Sequence, residues 1–472
     1  MERMYVGARI RRLRIERGLT QTALARMLDL SVSYVNQLEN DQRPLSVAVL
    51  LKFGSAFDLE PTYFSADSDA RLVADLHEAL ADAGEGAVAE ELDDLVARSP
   101  SVAKAVVALH RRLRTATDQA DRLSADLSPH AESQSTAYED VRDFFYDRRN
   151  HIPELDAAAE DLFETSDLAL GGLDLQLARL ARDQYGVTVR IRGGTADTGG
   201  PKREFDRTAG VLTLARRLDH GQRAFQIATQ IAFLTQSDTM DRIIAAAPDL
   251  PERSRALARV GLANYFAGAL VLPYERFLRA AEELSYDIDL LGARFEVGFE
   301  TVCHRLSTLQ RPGRRGIPFF LVRIDRAGNI SKRQSATAFH FSRVGGSCPL
   351  WVVHDAFTSP GRIRTQVAQM PDGRGYLWVA RTTDERSPDG FLGQGRTFAI
   401  GLGCDLAHAG RLVYSRGLAL DEPQSFVPIG AGCKVCPRPS CGQRAFPQIG
   451  PPVVVDEDRA ESVPYTMADV CT

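Results

Sequence analysis

Apolar residues recur every three or four positions along most of the chain as far as Gln310. Beyond Ile317 they alternate with polar ones, so helices are expected first and strands later. Between Gly18 and Pro44 two short helical patterns are broken at Asp29-Leu30. The first sets Leu24, Ala25 and Leu28 on one face. The second, opened by Ser31 as its cap, turns Val35 and Leu38 inward and leaves Ser33, Tyr34, Asn36, Gln37 and Asn40 outward. Amides donate and accept at once, which is what the major-groove edge of adenine requires. The spacing therefore predicts a helix-turn-helix whose second helix, with Val32 at its start and Arg43 beyond its end, offers its outer face to DNA. Upstream, Arg9, Arg11, Arg12, Arg14 and Arg17 crowd one amphipathic helix and are expected to meet phosphates.

The remaining pattern divides the chain into residues 1–66, 67–137, 138–311 and 312–472. In the second segment Leu72, Leu76, Leu80, Val88, Leu92, Leu95, Val102, Val106, Leu109 and Leu113 keep helical spacing. They form a connector suited to homodimerisation, with packing against the same chain as the competing reading. Hydrophobicity collapses over 124–136, which reads as a flexible linker. The third segment is α+β, with a strand pair at 187–192 and 211–215 separated by the turn region 193–200. The last is predicted to be mostly antiparallel sheet, from alternation at 319–324, 338–341, 351–355, 376–381, 397–401 and 412–415. The fold class is thus multidomain: an all-α first domain, a helical connector, an α+β domain, and an α+β C-terminal domain with an antiparallel sheet and a Cys-ligated site.

A chain of 472 residues is long enough for about three domains. No apolar run approaches a bilayer span and no signal peptide is recognisable, so the expected setting is cytoplasmic, with no membrane partner. A net charge of −5 argues against diffuse nucleic-acid affinity and confines DNA binding to the N-terminal domain. Seven cysteines make an odd number, and none precedes Cys303, so a disulfide framework is not expected. Cys433, Cys436 and Cys441 fall in a Gly- and Pro-rich loop, and Cys404 follows a strand ending in G-L-G. Three thiolates on a short loop and a fourth from a strand suit a tetrahedral zinc or an iron–sulfur centre. Cys348 is the reserve ligand, Cys303 reads as a buried helical residue, and Cys471 lies in a tail.

The first 64 residues resemble the Cro/repressor-like (XRE) family, which implies five helices from Val6 to Phe64 and a phosphate contact from Gln21. The stretches A-F-Q-I-A-T-Q-I-A-F-L (224–234) and A-N-Y-F-A-G-A-L-V-L-P (263–273) resemble the ImmA/IrrE metallopeptidase-like domain, over about 155–311. That family's H-E-x-x-H motif falls on Thr229, Gln230 and Phe233, and its third ligand on Leu262. These side chains can neither hold zinc nor act as general base, so a sensor rather than an enzyme is expected.

The full order of domains, with I-G-A-G-C-K-V-C-P-R-P-S-C-G-Q-R-A-F-P near the end, resembles the short-chain fatty acyl regulators of actinobacteria. The resemblance implies a transcriptional regulator of the glyoxylate shunt or methylcitrate cycle that binds operator DNA and an acyl-CoA. It also tips the cysteine centre toward [4Fe–4S], with zinc as the alternative. A metallopeptidase that cleaves a repressor and a purely redox-sensing regulator are the rival readings. CoA needs guanidinium groups beside stacking surfaces. Phe144, Phe145, Arg148 and Arg149, with Arg190, Arg192 and Tyr265, are candidates, although the aromatics also sit at core spacing.

Overall fold

The computed structural model describes residues 6–57, 70–82, 89–125, 134–192, 200–248, 250–337, 339, 341, 346–385, 395–438, 441–448 and short stretches beyond 452. These form two compact units. One comprises residues 1–128, 338–345 and 439–472, the other residues 129–337 and 346–438.

The first unit opens with helices α1 (Gly7–Glu16), α2 (Gln21–Met27), α3 (Val32–Glu39) and α4 (Val47–Phe57). Their local causes are explicit. Thr20 and Ser31 cap α2 and α3 by accepting the Ala23 and Tyr34 N–H groups, each at 3.1 Å. Asp29, at φ 51°, makes the left-handed turn between them, a conformation Asp tolerates better than most residues. Ile10, Leu13, Leu24, Ala25, Leu28, Val35, Leu38 and Phe53 form one buried core, as the spacing required. Gly7 lets α1 approach the end of α3, because a Cβ there would stand 2.5 Å from the Leu38 carbonyl oxygen. The expected fifth helix falls at 58–69, outside the described residues.

Helices α5 (Ala70–Asp82), α6 (Ala89–Arg98) and α7 (Pro100–Ala125) bury Leu76, Leu92, Val96, Ala103 and Val107 among themselves. The connector is therefore a small core of its own. On α7 the stripe at i, i+4, i+7 and i+11 remains on the outside: Val102, Leu109 and Leu113 are 51%, 62% and 66% exposed, and Val106 is half-buried. Most of the expected linker, 126–133, lies outside the described residues.

The second unit begins with α8 (Gln134–Asp147), α9 (Pro153–Thr165) and α10 (Leu173–Tyr185). Strands β1 (Thr188–Ile191), β2 (Arg203–Asp206) and β3 (Val211–Leu214) follow. The predicted strand pair exists, but β1 and β3 run parallel, and β2 adds an antiparallel edge to give the order β1-β3-β2. That strand, R-E-F-D, is too polar and short to show alternation. Helices α11 (His220–Thr235), α12 (Ser237–Ala245), α13 (Glu252–Val271), α14 (Tyr274–Glu283), α15 (Ile288–Phe295) and α16 (Phe299–Leu306) complete the helical part, α11 being opened by a capping box between Asp219 and Gln222.

Six further strands form a sheet of order β5-β4-β8-β7-β6-β9: β4 (Phe320–Ile324), β5 (Ile330–Ser335), β6 (Arg364–Gln369), β7 (Gly375–Glu385), β8 (Arg396–Asp405) and β9 (Val427–Pro428). Its pairs are antiparallel except β6 with β9, so the sheet is mixed. Two expected strands are helical instead, α17 (Val352–Asp355) and the 3-10 turn Val413–Ser415. Short α18 (Leu406–Ala409) follows β8. One face of the sheet joins the helices: Leu377, Val379, Ile400, Leu402 and Cys404 belong to the same core as Leu155, Phe266 and Leu306. The division expected at 311/312 is thus not a gap in packing. Among the described residues no single helix is long and apolar enough to cross a membrane.

Candidate functional site

On α3 the outward residues Ser33, Asn36 and Asn40 are exposed, as are Ser31 and Val32, while Tyr34 and Gln37 are half-buried. Asn40 donates to the Asn36 side chain at 3.0 Å and backbone at 2.9 Å, and the Arg43 guanidinium stacks on the Tyr34 ring at 4.5 Å. The face is thus pre-ordered, with two amides and a cation on one side. Beneath it lies a feature that periodicity did not show. Glu39 is buried and accepts two bonds from Arg14, at 2.6 and 3.0 Å, and one from Gln21 at 2.7 Å. Its hydrogen bond, offset in part by burial, raises the Arg14 pKa. Arg14 is therefore an internal strut rather than a phosphate contact, and Arg9 is also buried. Gln21, the first residue of α2, donates to Glu39 and to Asn36 Oδ1, the latter at 3.4 Å, so its amide is already positioned.

In the second unit Thr229, Gln230 and Phe233 lie on α11 and Leu262 on α13. The Thr229 hydroxyl bonds back to the Phe225 carbonyl at 2.8 Å, and Leu262 is wholly buried. Arg203, from edge strand β2, donates to Gln230 at 3.0 Å and lies over the Phe233 ring at 5.1 Å. Burial lowers its pKa. A guanidinium thus occupies the neighbourhood that a metal-binding helix would leave open, and no step of metal-assisted hydrolysis can be built from these groups.

The candidate ligand residues fall into separate places. Phe144 is buried and meets Phe145 edge-on at 5.2 Å, and Phe145 lies against Gly261, where a Cβ would stand 2.8 Å from its ring. The Arg148 guanidinium covers the Phe144 ring at 4.0 Å and donates to the Phe144 carbonyl, and burial lowers its pKa. Arg149 is exposed in the left-handed region at φ 50°. Arg190 projects from β1 into solvent, and Arg192 pairs with Glu204 at 3.2 Å. Tyr265 is corrected to a core residue: its hydroxyl donates to Asp156 at 2.9 Å and accepts the Ile152 N–H at 3.1 Å. Burial at apolar helical spacing won over any ligand role.

Asp156 is the centre of that network. Arg305 donates to it at 2.7 Å, and His151 Nε2 lies 3.0 Å away, near enough for an ion pair though not aligned as a hydrogen bond. Burial alone would raise the Asp156 pKa. The Arg305 charge and the surrounding donors outweigh it and hold the pKa below the ordinary value.

The cysteines sort by sheet face. Side chains alternate along β8, so Cys404 points with Ile400 and Leu402 into the helical core. Gly401 and Gly403 face the other way, toward Trp378 and Phe320. On that second face Trp351 packs on Trp378 at 5.5 Å and donates to the Gly430 carbonyl at 2.9 Å. The Gly430 N–H donates to Cys348 Sγ at 3.4 Å, and a Cβ on Gly430 would stand 2.7 Å from Cys436 Sγ. Burial first, then the neighbouring Cys433 and Cys436, push the Cys348 thiol up to about 11. The reserve cysteine therefore stands with the C-x-x-C pair, and Cys404 lies across the sheet from it. Cys441 is half-buried and its carbonyl accepts the Arg444 N–H. Among the described residues no cluster of three or more His, Cys, Asp or Glu is drawn together tightly enough to hold a metal ion.

Residues 10–64 match the helix-turn-helix family, 182–307 the IrrE N-terminal-like domain, and 308–465 the C-terminal domain of the short-chain fatty acyl coenzyme A regulators. The chain is 59% identical to the HTH-type transcriptional regulator PrpR of Mycobacterium tuberculosis, over 99% of this chain and 96% of the relative. It is 47% identical to RamB of the same species, over 98% and 99%, and 40% identical to the propionyl-CoA carboxylase regulator of Cereibacter sphaeroides, over 99% and 100%. A solved Mycobacterium tuberculosis transcriptional regulator superposes with a TM-score of 0.67 at 62% identity, covering 70% of this chain and 99% of that one. The chain belongs to the helix-turn-helix transcriptional regulators that carry the short-chain fatty acyl coenzyme A regulator domain, and it is a regulator rather than an enzyme.

Proposed function

We propose that this regulator binds a two-fold operator as a cytoplasmic homodimer, takes an acyl-CoA in its second unit, and carries a thiolate-held centre beside Trp351. The observation that carries the DNA-binding part is the capped, pre-ordered α3 with its amide face. Asn36 and Gln37 read base edges there, and Arg43 meets phosphate. The exposed stripe on α7 supports dimerisation, since two copies can bury it across a symmetry axis. The family description and the relative named for propionyl-CoA carboxylase support the acyl-CoA effector. On this chain Arg148, Arg149 and Arg190 are the cations placed to answer its phosphates, with the Phe144–Phe145 pair behind Arg148.

For the centre, Cys348, Cys433 and Cys436, which gather at Gly430, replace the set built on Cys404. Two sulfurs at one glycine and an N–H aimed at a third-row atom suit an iron–sulfur cluster, with zinc as the alternative. When bound, a [4Fe–4S] cluster would supply a one-electron redox couple. The test is fluorescence anisotropy of full-length protein on promoter DNA from acyl-metabolism genes, with acetyl-, propionyl- and longer acyl-CoA, run anaerobically alongside a visible spectrum. A ligand can act only by favouring one arrangement, so the binding midpoint must move with one of these effectors. If no acyl-CoA moves it while oxidation does, the redox-sensing reading replaces this one.

A further inference from the structure

The chain around Gly430 is pinned from both sides. The Trp351 indole N–H donates to the Gly430 carbonyl at 2.9 Å, and the Ile429 N–H donates at 3.0 Å to the carbonyl of Gln369, the last residue of β6. Between these two bonds lies the Ile429–Gly430 peptide unit. Its N–H meets Cys348 Sγ at 3.4 Å, and its carbonyl accepts the Arg438 Nε–H at 3.1 Å. The same guanidinium, half-buried, donates from Nη2 to the Gln369 carbonyl at 2.8 Å, so it is held by two bonds. Sulfur, amide and cation thus stand in series.

A peptide unit is a dipole with its positive end at the N–H. A cation on its carbonyl oxygen polarises it further, and hydrogen bonds in such a chain strengthen one another, the more so where burial keeps the local dielectric low. The N–H that meets Cys348 is therefore a stronger donor to a thiolate sulfur than an ordinary amide. Hydrogen bonds to sulfur and nearby positive charge govern how readily a thiolate-held cluster accepts an electron, because reduction adds negative charge to it. A clamp that only fastened residues 429–438 to β6 would need a donor at Arg438, whereas the effect on sulfur needs its charge.

We propose that Arg438 tunes the thiolate-held centre, acting on Cys348 through the Ile429–Gly430 peptide and favouring the more negatively charged state of the centre. It is a positioning residue and not a ligand. The inference rests on the centre proposed above at Cys348, Cys433 and Cys436.

The experiment compares full-length wild type, Arg438→Gln and Arg438→Lys, purified anaerobically, with metal content measured and folding checked by tryptophan fluorescence. Glutamine keeps a donor without the charge, and lysine keeps the charge. For an iron–sulfur centre the readout is the reduction potential, followed by electron paramagnetic resonance with dithionite as reductant. Arg438→Gln should shift the equilibrium toward the oxidised form by about tenfold or more, which for one electron is about 59 mV downward, and Arg438→Lys should recover most of it. For a zinc centre the readout is competition with a chromophoric chelator, to which Arg438→Gln should yield zinc about tenfold more readily while Arg438→Lys holds it near the wild-type level. Equal values in wild type and Arg438→Gln overturn the role of Arg438 and leave the centre standing. A loss in Arg438→Lys as large as in Arg438→Gln marks a structural clamp and overturns it too. Should Arg438→Gln shed its metal outright, Arg438→Lys decides: metal retained supports the proposal, and metal lost overturns it. Wild-type protein with neither iron nor zinc removes the centre itself and the inference with it.

Discussion

Removing the Asp156 carboxylate is the most searching test of what holds the second unit together. Asp156→Ala leaves Arg305, itself buried, with an uncompensated charge and takes the acceptor from the Tyr265 hydroxyl. Breaking a buried pair by deleting one partner costs about 3–5 kcal/mol, and both groups are far too buried for solvent to discount that figure. The network joins the turn before α9, helix α13 and helix α16, so the loss should be felt by the whole unit rather than by one loop. Urea unfolding followed by tryptophan fluorescence reads this unit alone, because the chain's two Trp residues, Trp351 and Trp378, both lie buried in it. With a slope of about 3 kcal/mol per molar, the midpoint should fall by about 1–1.7 M.

The pH dependence has a fixed sign. The folded-state pKa is depressed, so the stabilisation is full above the unfolded carboxylate value of about 3.9 and is lost as pH falls through the lower folded value. The gap between wild type and Asp156→Ala should close as pH falls well below about 3.9, where the folded carboxyl takes up its proton. Replacing both partners, Asp156→Leu with Arg305→Met, should recover most of the loss. A gap below about 1 kcal/mol, a gap that persists undiminished in strong acid, or a double variant as unstable as the single one would refute the account of this network.

Two further outcomes follow from the other sites. Gln37→Ala should cost about 1–3 kcal/mol on the operator and relax preference at one base pair, whereas Arg43→Ala should weaken operator and random DNA alike; equal losses for both variants on both DNAs, measured by anisotropy, would remove α3 as the reading helix. Cys348→Ser and Gly430→Ala should each strip iron, or zinc, from anaerobically purified protein, the second because its new methyl group displaces Cys436 Sγ, while Cys404→Ser should leave metal content intact; retained metal in Cys348→Ser with loss in Cys404→Ser would restore the set read from the sequence.

The helix-turn-helix was legible in the sequence because its determinants are local. A serine cap, a turn aspartate and apolar residues one helical turn apart act within a few positions of each other, and they forced both the element and its buried face. The failed chemistry at Thr229, Gln230 and Phe233 was legible for the same reason, since a helix fixes which side chains share a turn. What the sequence could not decide depended on partners far along the chain. Strands β5 and β6, I-S-K-R-Q-S and R-T-Q-V-A-Q, are too polar to show alternation and are held in the sheet by their neighbours. Tyr265, like Arg14, looked available until a buried carboxylate from a remote segment claimed it. The cysteine set proposed above turns on the parity of β8. One residue's shift along a strand reverses the face, and only the pairing of that strand in the sheet set Cys404 toward the helical core while Cys348 met Cys436 at Gly430 on the other side.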